Sequence, residues 1–67
     1  MKKYKVKIYL KNIDDIYVQL VEETDTYPMG LNATLGLFRN ENHPNIEDLL
    51  SDGFEVYYVT VRVKKNA

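Results

Sequence analysis

Both ends of the chain alternate between apolar and polar residues with a period of two, and this constrains the fold more than any other feature. Such alternation, rich in β-branched and aromatic residues, predicts a half-buried β-strand. In the first strand, Tyr4, Val6, Ile8 and Leu10 share one face, and Lys3, Lys5, Lys7, Tyr9 and Lys11 share the other. In the last strand, over residues 54–64, the predicted faces are Tyr57, Val59, Val61 and Val63 against Val56, Tyr58, Thr60, Arg62 and Lys64.

The segment that follows the first strand predicts a hairpin. Residues 12–15, Asn-Ile-Asp-Asp, suit its tip because Asn and Asp bond locally to the backbone and tolerate left-handed geometry. A further strand is expected over residues 16–23. Its core-facing residues would be Ile16, Val18 and Leu20, with Tyr17 and Gln19 pointing outward.

Residues 31–42 fit either of two elements. A short helix capped by Asn32 would place Leu31, Leu35 and Phe38 on one face. Against this, Gly36 costs about 1 kcal/mol relative to alanine inside a helix. Residues 34–38 would otherwise form a short strand. We expect the helix.

A second helix is signalled more clearly. Asn45 is its predicted cap, and Glu47 and Asp48 place negative charge in the first turn, where the helix dipole favours it. Gly53 is the predicted stop. The apolar stripe is Ile46, Leu49 and Leu50.

These elements predict a single α+β domain over residues 1–67, in the order ββ(α)αβ. One or two short helices would cover one face of a largely antiparallel sheet of three strands, or of four if residues 34–38 are extended. The last strand lies beside the second strand, or it pairs with the first. The latter arrangement sets Lys3 and Lys5 near Arg62 and Lys64, where like charges directly opposite each other destabilise a sheet.

The charge of the chain changes sign twice. Residues 1–11 carry +5, residues 12–52 carry −8 and residues 53–67 carry +2, for a net charge of −1. The isoelectric point is about 5.7, whereas a nucleic-acid-binding domain is usually strongly basic. The acidic middle would repel phosphates unless it lies on the side of the molecule opposite to the basic strands.

The length and composition bear on stability and location. A domain of 67 residues has a small core, and such domains are often reinforced by disulfides, metal or self-association. The sequence has no cysteine and one histidine, too few ligands for structural zinc, so we expect a homodimer. No apolar run approaches the ~20 residues of a membrane span, and Lys5 and Lys7 interrupt any signal peptide. We therefore expect a cytoplasmic protein that does not associate with membranes.

Residues that carry catalysis are scarce. Ser51 and His43 are the one serine and the one histidine, and Ser51 lies at a predicted helix end. The adjacent acids have structural explanations at the hairpin tip, in the first helical turn and on opposite faces of a strand. No nucleophile, base and orienting group converge by any visible spacing. We expect no enzymatic activity, no metal site and no cofactor.

The exposed sheet face is the candidate binding surface. Its predicted partner-binding residues are Lys5, Lys7, Tyr9, Tyr17, Tyr58 and Arg62. Because tyrosine and arginine are enriched at interfaces and edge strands invite pairing, we expect an inhibitor or regulator that binds a larger protein through this face or an edge strand. The alternative is a single-stranded nucleic-acid-binding module, which uses a basic track with aromatic platforms. Strand propensity alone also accounts for these residue types.

Overall fold

The computed structural model describes residues 3–40 and 44–64 of the protein. Its elements are β1 (Lys3–Lys11), β2 (Tyr17–Thr24), α1 (Leu31–Asn40), α2 (Pro44–Ser51) and β3 (Glu55–Lys64). The three strands form one antiparallel sheet in the order β2-β1-β3. The α+β class is confirmed, and residues 31–40 form a helix, so the sheet of the described chain has three strands. None of the described helices has the length and apolar character needed to cross a membrane.

Strand β1 lies at the centre of the sheet. It pairs antiparallel with β2 on one side and with β3 on the other. Its inward residues Val6, Ile8 and Leu10 are completely buried because both neighbouring strands and the helices cover them. The last strand therefore pairs with the first, which is the arrangement that brings the basic ends of the chain together.

The core lies between the sheet and the two helices. The fully or almost fully buried apolar residues are Val6, Ile8, Leu10, Phe38, Ile46 and Phe54. Around them pack partly buried residues from β2, β3 and both helices, including Val18, Leu20, Leu35, Leu49 and Leu50. The predicted apolar stripe of the second helix is confirmed, since Ile46 is buried and both leucines pack against the core.

Helix α1 begins two residues earlier than its predicted cap implied. The Gly30 carbonyl oxygen accepts hydrogen bonds from the Thr34 backbone N–H at 3.1 Å and from Thr34 Oγ1 at 2.9 Å. Asn32 therefore lies inside the first turn, and the prediction that it caps the helix is wrong. Leu31, the first residue of the helix, is 51% exposed.

Helix α2 begins at Pro44, so Asn45 lies in its first turn and not at the cap. The predicted stop is confirmed. Gly53 has a φ of 92°, and the Phe54 N–H donates to the Leu49 carbonyl oxygen at 3.0 Å, the pattern that closes a helix with a left-handed residue. The histidine weighed as a catalytic residue, His43, lies outside the described residues.

The β1–β2 hairpin is closed by Asn12. Its Oδ1 accepts hydrogen bonds from the backbone N–H groups of Asp14 and Ile16, each at 3.0 Å, and Asp15 takes the left-handed conformation with a φ of 59°. The predicted tip is confirmed. Ile16 was expected in the core, but the strand ladder starts at Tyr17 and leaves Ile16 53% exposed in the turn.

Strand β3 contains a β-bulge that changes which residues face the core. Tyr9 pairs with Tyr58 and the next β1 residue, Leu10, pairs with Val56, so Tyr57 is an extra residue. The prediction that Tyr57 faces the core and Val56 faces outward is wrong at both positions. Val56 packs against the core, and Tyr57 joins the opposite face. A period-two pattern misassigns one side of a bulge because the bulge adds one residue to the alternation.

Candidate functional site: the outer face of the sheet

The outer face is the side of the sheet that is turned away from the helices. Directly paired residues in neighbouring strands project to the same side of a sheet. Because Val6, Ile8 and Leu10 are buried against the helices, the residues that alternate with them on β1 lie on the outer face together with their partners on β2 and β3. This face carries two distinct groups of side chains.

The first group is a basic row near the ends of β1 and β3. It comprises Lys3, Lys5, Lys7, Arg62 and Lys64. Lys3 is paired directly with Lys64, and Lys5 directly with Arg62. Like charges in this position destabilise a sheet by a fraction of a kcal/mol to about 1 kcal/mol per pair. The fold therefore concentrates positive charge on one face at a cost in stability.

One acid partly compensates the basic row. Lys64 Nζ lies 2.8 Å from Oε2 of Glu23, which is on β2 at the other side of the sheet. This hydrogen bond lowers the pKa of the Glu23 carboxyl, partial desolvation opposes it, and the charges of Lys64, Lys3 and Lys5 lower the pKa further. Both side chains remain partly exposed, so the ion pair spans β1 on the open surface.

The second group is the tyrosine cluster, formed by Tyr9, Tyr17, Tyr57 and Tyr58. The Tyr57 ring centroid lies 5.8 Å from that of Tyr17 in an edge-to-face arrangement and 6.4 Å from that of Tyr9. The Tyr9 and Tyr58 rings are 5.6 Å apart. Tyr57 links side chains from the two edge strands across β1, so the cluster spans the full width of the sheet.

The two groups meet at a surface depression of about 300 Å³. It is lined by Lys5, Lys7, Tyr9, Thr60 and Arg62. Four of these residues are predicted site residues, and Thr60 is opposite Lys7 in the ladder. The depression is a place where an anionic group would meet three cations beside an aromatic ring.

Two exposed acidic residues lie on the helix side of the molecule. Glu47 and Asp48 are exposed on α2, whose apolar stripe packs on the core. Glu47 is paired with Arg39 of α1. On the outer face, the described cations are Lys3, Lys5, Lys7, Lys11, Arg62 and Lys64, and the described acids are Glu23 and Glu55. The outer face therefore carries an excess of positive charge among the described residues.

All six predicted site residues lie on the outer face. Lys5, Lys7, Tyr9 and Arg62 share the depression, Tyr58 packs on Tyr9, and Tyr17 joins them through Tyr57. Sequence reasoning missed Tyr57 because it did not foresee the bulge. The signal that could have indicated an outward Tyr57 is the doublet Tyr57-Tyr58, which lies opposite the strand that carries Tyr9.

Other chemistry has little support in the described residues. Residues 3–40 and 44–64 contain no group of three or more His, Cys, Asp or Glu side chains arranged to hold a metal ion. Ser51 is exposed at the last position of α2.

Comparison of the chain with protein-family models, with curated proteins and with solved structures finds no match. The outer face is therefore interpreted from its own geometry.

Proposed function

We propose that the protein is a non-enzymatic interaction module that binds a larger protein partner through the outer face and thereby inhibits or regulates it. The observation that carries the proposal is the tyrosine cluster beside the basic row. We also propose that the chain acts as a homodimer in the cytoplasm.

The tyrosine cluster has the properties of an interface core. Tyr17, Tyr57 and Tyr58 are each about half exposed. Tyr17 packs edge-on against Tyr57, and Tyr57 and Tyr58 each pack at a tilt against Tyr9. Packed rings are held rigidly, so binding costs little side-chain entropy. Tyrosine is among the residues that dominate binding energy at protein interfaces. A rigid aromatic surface of this width suits an apolar patch on another protein.

The basic row defines the chemistry of the partner around that patch. Lysine is depleted from the centres of protein interfaces, but charges at the rim steer encounters and select partners. Lys3 opposite Lys64 and Lys5 opposite Arg62 repel each other in the free protein, and an acidic surface would relieve the repulsion. The expected partner therefore presents carboxylates next to an apolar patch.

A second candidate function is single-stranded nucleic-acid binding. It is favoured by the depression in which Lys5, Lys7 and Arg62 surround Tyr9, and by the location of Glu47 and Asp48 on the helix side. The ring contacts argue against it, since base stacking needs free ring faces. The Tyr57 ring has the Lys11 ammonium group 5.7 Å from its centroid and the Tyr17 ring against it.

The experiment is a pull-down with tagged protein from a lysate of its source organism, with and without nuclease. We expect one protein in stoichiometric amount that survives nuclease treatment. With that protein purified, Tyr58→Ala should raise the dissociation constant about 30-fold, as loss of an interface hot spot of about 2 kcal/mol does.

Tyr27→Ala is the matched control. Tyr27 is 51% exposed against 57% for Tyr58, and it also packs on another tyrosine, Tyr4, but it lies off the outer face. Equal loss of binding in both variants would contradict the assignment of the outer face. Bound nucleic acid, or partners that disappear with nuclease, would establish the second candidate function, and a steep loss of affinity with salt would support it.

A further inference from the structure

Strand β3 ends the sheet, and its helix-side residues are less covered than those of β1. Val6 and Ile8 are completely buried, whereas their partners Val61 and Val59 are half-buried and Val63 is 54% exposed. Helix α1 packs closer to β2 than to β3. The ten residues of β3 thus form a long edge strand with an incompletely buried row of valines.

A groove follows this edge on the helix side. Val59 and Val61 are part of its lining, and Tyr27, Pro28 and Leu31 line it from the segment that leads into α1. Tyr27 and Leu31 are each 51% exposed. Exposed strand edges of this length invite pairing with another chain.

We propose that two copies of the chain pair antiparallel along β3, around a two-fold axis at Thr60. The two sheets then form one six-stranded sheet, and the two outer faces become continuous. This proposal rests on the homodimer proposed above and specifies its interface, but it does not depend on what the outer face binds.

The register follows from the bulge and from charge. A two-fold interface must be complementary to itself, and the bulge at Tyr57 leaves residues 58–64 as the regular part of the edge. A two-fold axis at Arg62 would place this arginine directly opposite Arg62 of the second copy. An axis at Val63 would place Arg62 opposite Lys64 of the second copy. Like charges directly opposite are destabilising, so both registers are disfavoured.

The axis at Thr60 gives favourable pairs on both faces. Val59 lies opposite Val61 of the second copy, and Arg62 lies opposite its Tyr58, an arginine–aromatic pair. The two arginines are then four residues apart along the strands, about 13 Å, whereas an axis at Val61 would reduce this to about 7 Å. Of the registers with the axis at Thr60, Val61, Arg62 or Val63, the Thr60 register therefore separates the like charges most.

The other edge of the sheet is a poorer candidate. The helix-side row of β2 contains Glu22 as well as Val18 and Leu20. A two-fold axis near the middle of β2, at Leu20 or Val21, would set this glutamate opposite Val18 or Leu20 of the second copy. The helix-side row of β3 consists of valines. Pairing of two copies along β3 would also bury part of their apolar surface, which would help to stabilise a domain with a small core.

The absence of cysteine from the chain gives a direct test. In the Thr60→Cys variant, the two cysteines would face each other across the axis with Cα atoms about 5 Å apart, within disulfide range. We expect mild oxidation to convert it to a covalent dimer. Val21→Cys, at the middle of β2 on the same face, is the matched control and should stay monomeric on a denaturing gel. Cross-linking through Val21→Cys and not through Thr60→Cys would overturn the proposal.

A charge variant separates dimerisation from folding. Thr60 lies opposite Lys7 within the chain, so Thr60→Glu should leave the melting temperature of the monomer unchanged or raise it. Across the axis it places two carboxylates together and should raise the dimer dissociation constant about fivefold in sedimentation equilibrium. The uncharged variant Thr60→Gln should dimerise like the parent chain. A parent chain that stays monomeric at submillimolar concentration, or equal dimerisation of the two variants, would refute the interface.

Discussion

Replacing Arg62 with glutamine should stabilise the folded protein. Arg62 lies directly opposite Lys5 on the outer face, and its own strand is at the edge of the sheet. Glutamine keeps much of the aliphatic stem that covers the sheet but removes the charge. The variant thus tests whether the basic row costs stability, as expected for a surface that awaits an anionic partner.

The expected gain follows from the geometry of the pair. For an assumed separation of about 7 Å between the two charged groups, the repulsion in water is about 0.6 kcal/mol, and screening at 0.1 M salt roughly halves this energy. A gain of about 0.3 kcal/mol lies within the range for cross-strand pairs. For a domain of this size it corresponds to a rise of about 1–3 °C in melting temperature.

The assay is thermal unfolding at low and at high salt, with Arg39→Gln as the matched control. Arg39 is the arginine that pairs with Glu47 between the helices, so its replacement should lower the melting temperature by a similar amount. Both differences should shrink in 1 M salt, where the screening length is about 3 Å. A lower melting temperature for Arg62→Gln at low salt, or a gain that persists in 1 M salt, would refute the electrostatic reasoning.

Two further predictions concern the glycines and the pH dependence. Gly36→Ala should raise the free energy of unfolding by about 0.5–1 kcal/mol, because the helical site has open space for a methyl group. Gly53→Ala should lower the free energy of unfolding by about 1–2 kcal/mol, because φ at this position is 92°. Denaturant titration measures both variants, and changes of the same sign in the two free energies would contradict this account. The ion pair between Glu23 and Lys64 lowers the pKa of Glu23, so its stabilisation should be complete above the pKa of an unperturbed glutamate and lost as pH falls through the lowered value. Melting temperatures of the parent chain and Glu23→Gln should therefore converge in acid, and a constant difference across that range would rule out the linkage.

The regular elements could be predicted from local pattern because their physical causes are local. The alternation around Val6 gave the bounds of β1, and the Asn-Ile-Asp-Asp turn and the stop at Gly53 follow from backbone preferences of single residues. At the bulge, Val56 and Tyr57 were assigned to the wrong faces. The other predictions that failed concern element ends, at Ile16, Leu31, Asn32 and Asn45. There the outcome depends on the residue at which a ladder or a helix begins, and such boundaries shift easily by one or two residues.

The candidate site was predictable in its residues but not in its assembly. The six predicted residues lie on the outer face, yet the sequence left open whether the basic ends would meet. Only pairing of β3 with β1 places Arg62 opposite Lys5, and only the bulge turns Tyr57 outward to link Tyr9 and Tyr17.

By itself, the sequence determined the α+β class, the hairpin and the separation of apolar from charged faces, because side-chain alternation and turn chemistry act between near neighbours. Tertiary structure decided the strand order, the bulge and hence the basic row and the tyrosine cluster. These features join residues about fifty positions apart, and their pairing depends on how the whole core packs around Val6, Ile8 and Phe38.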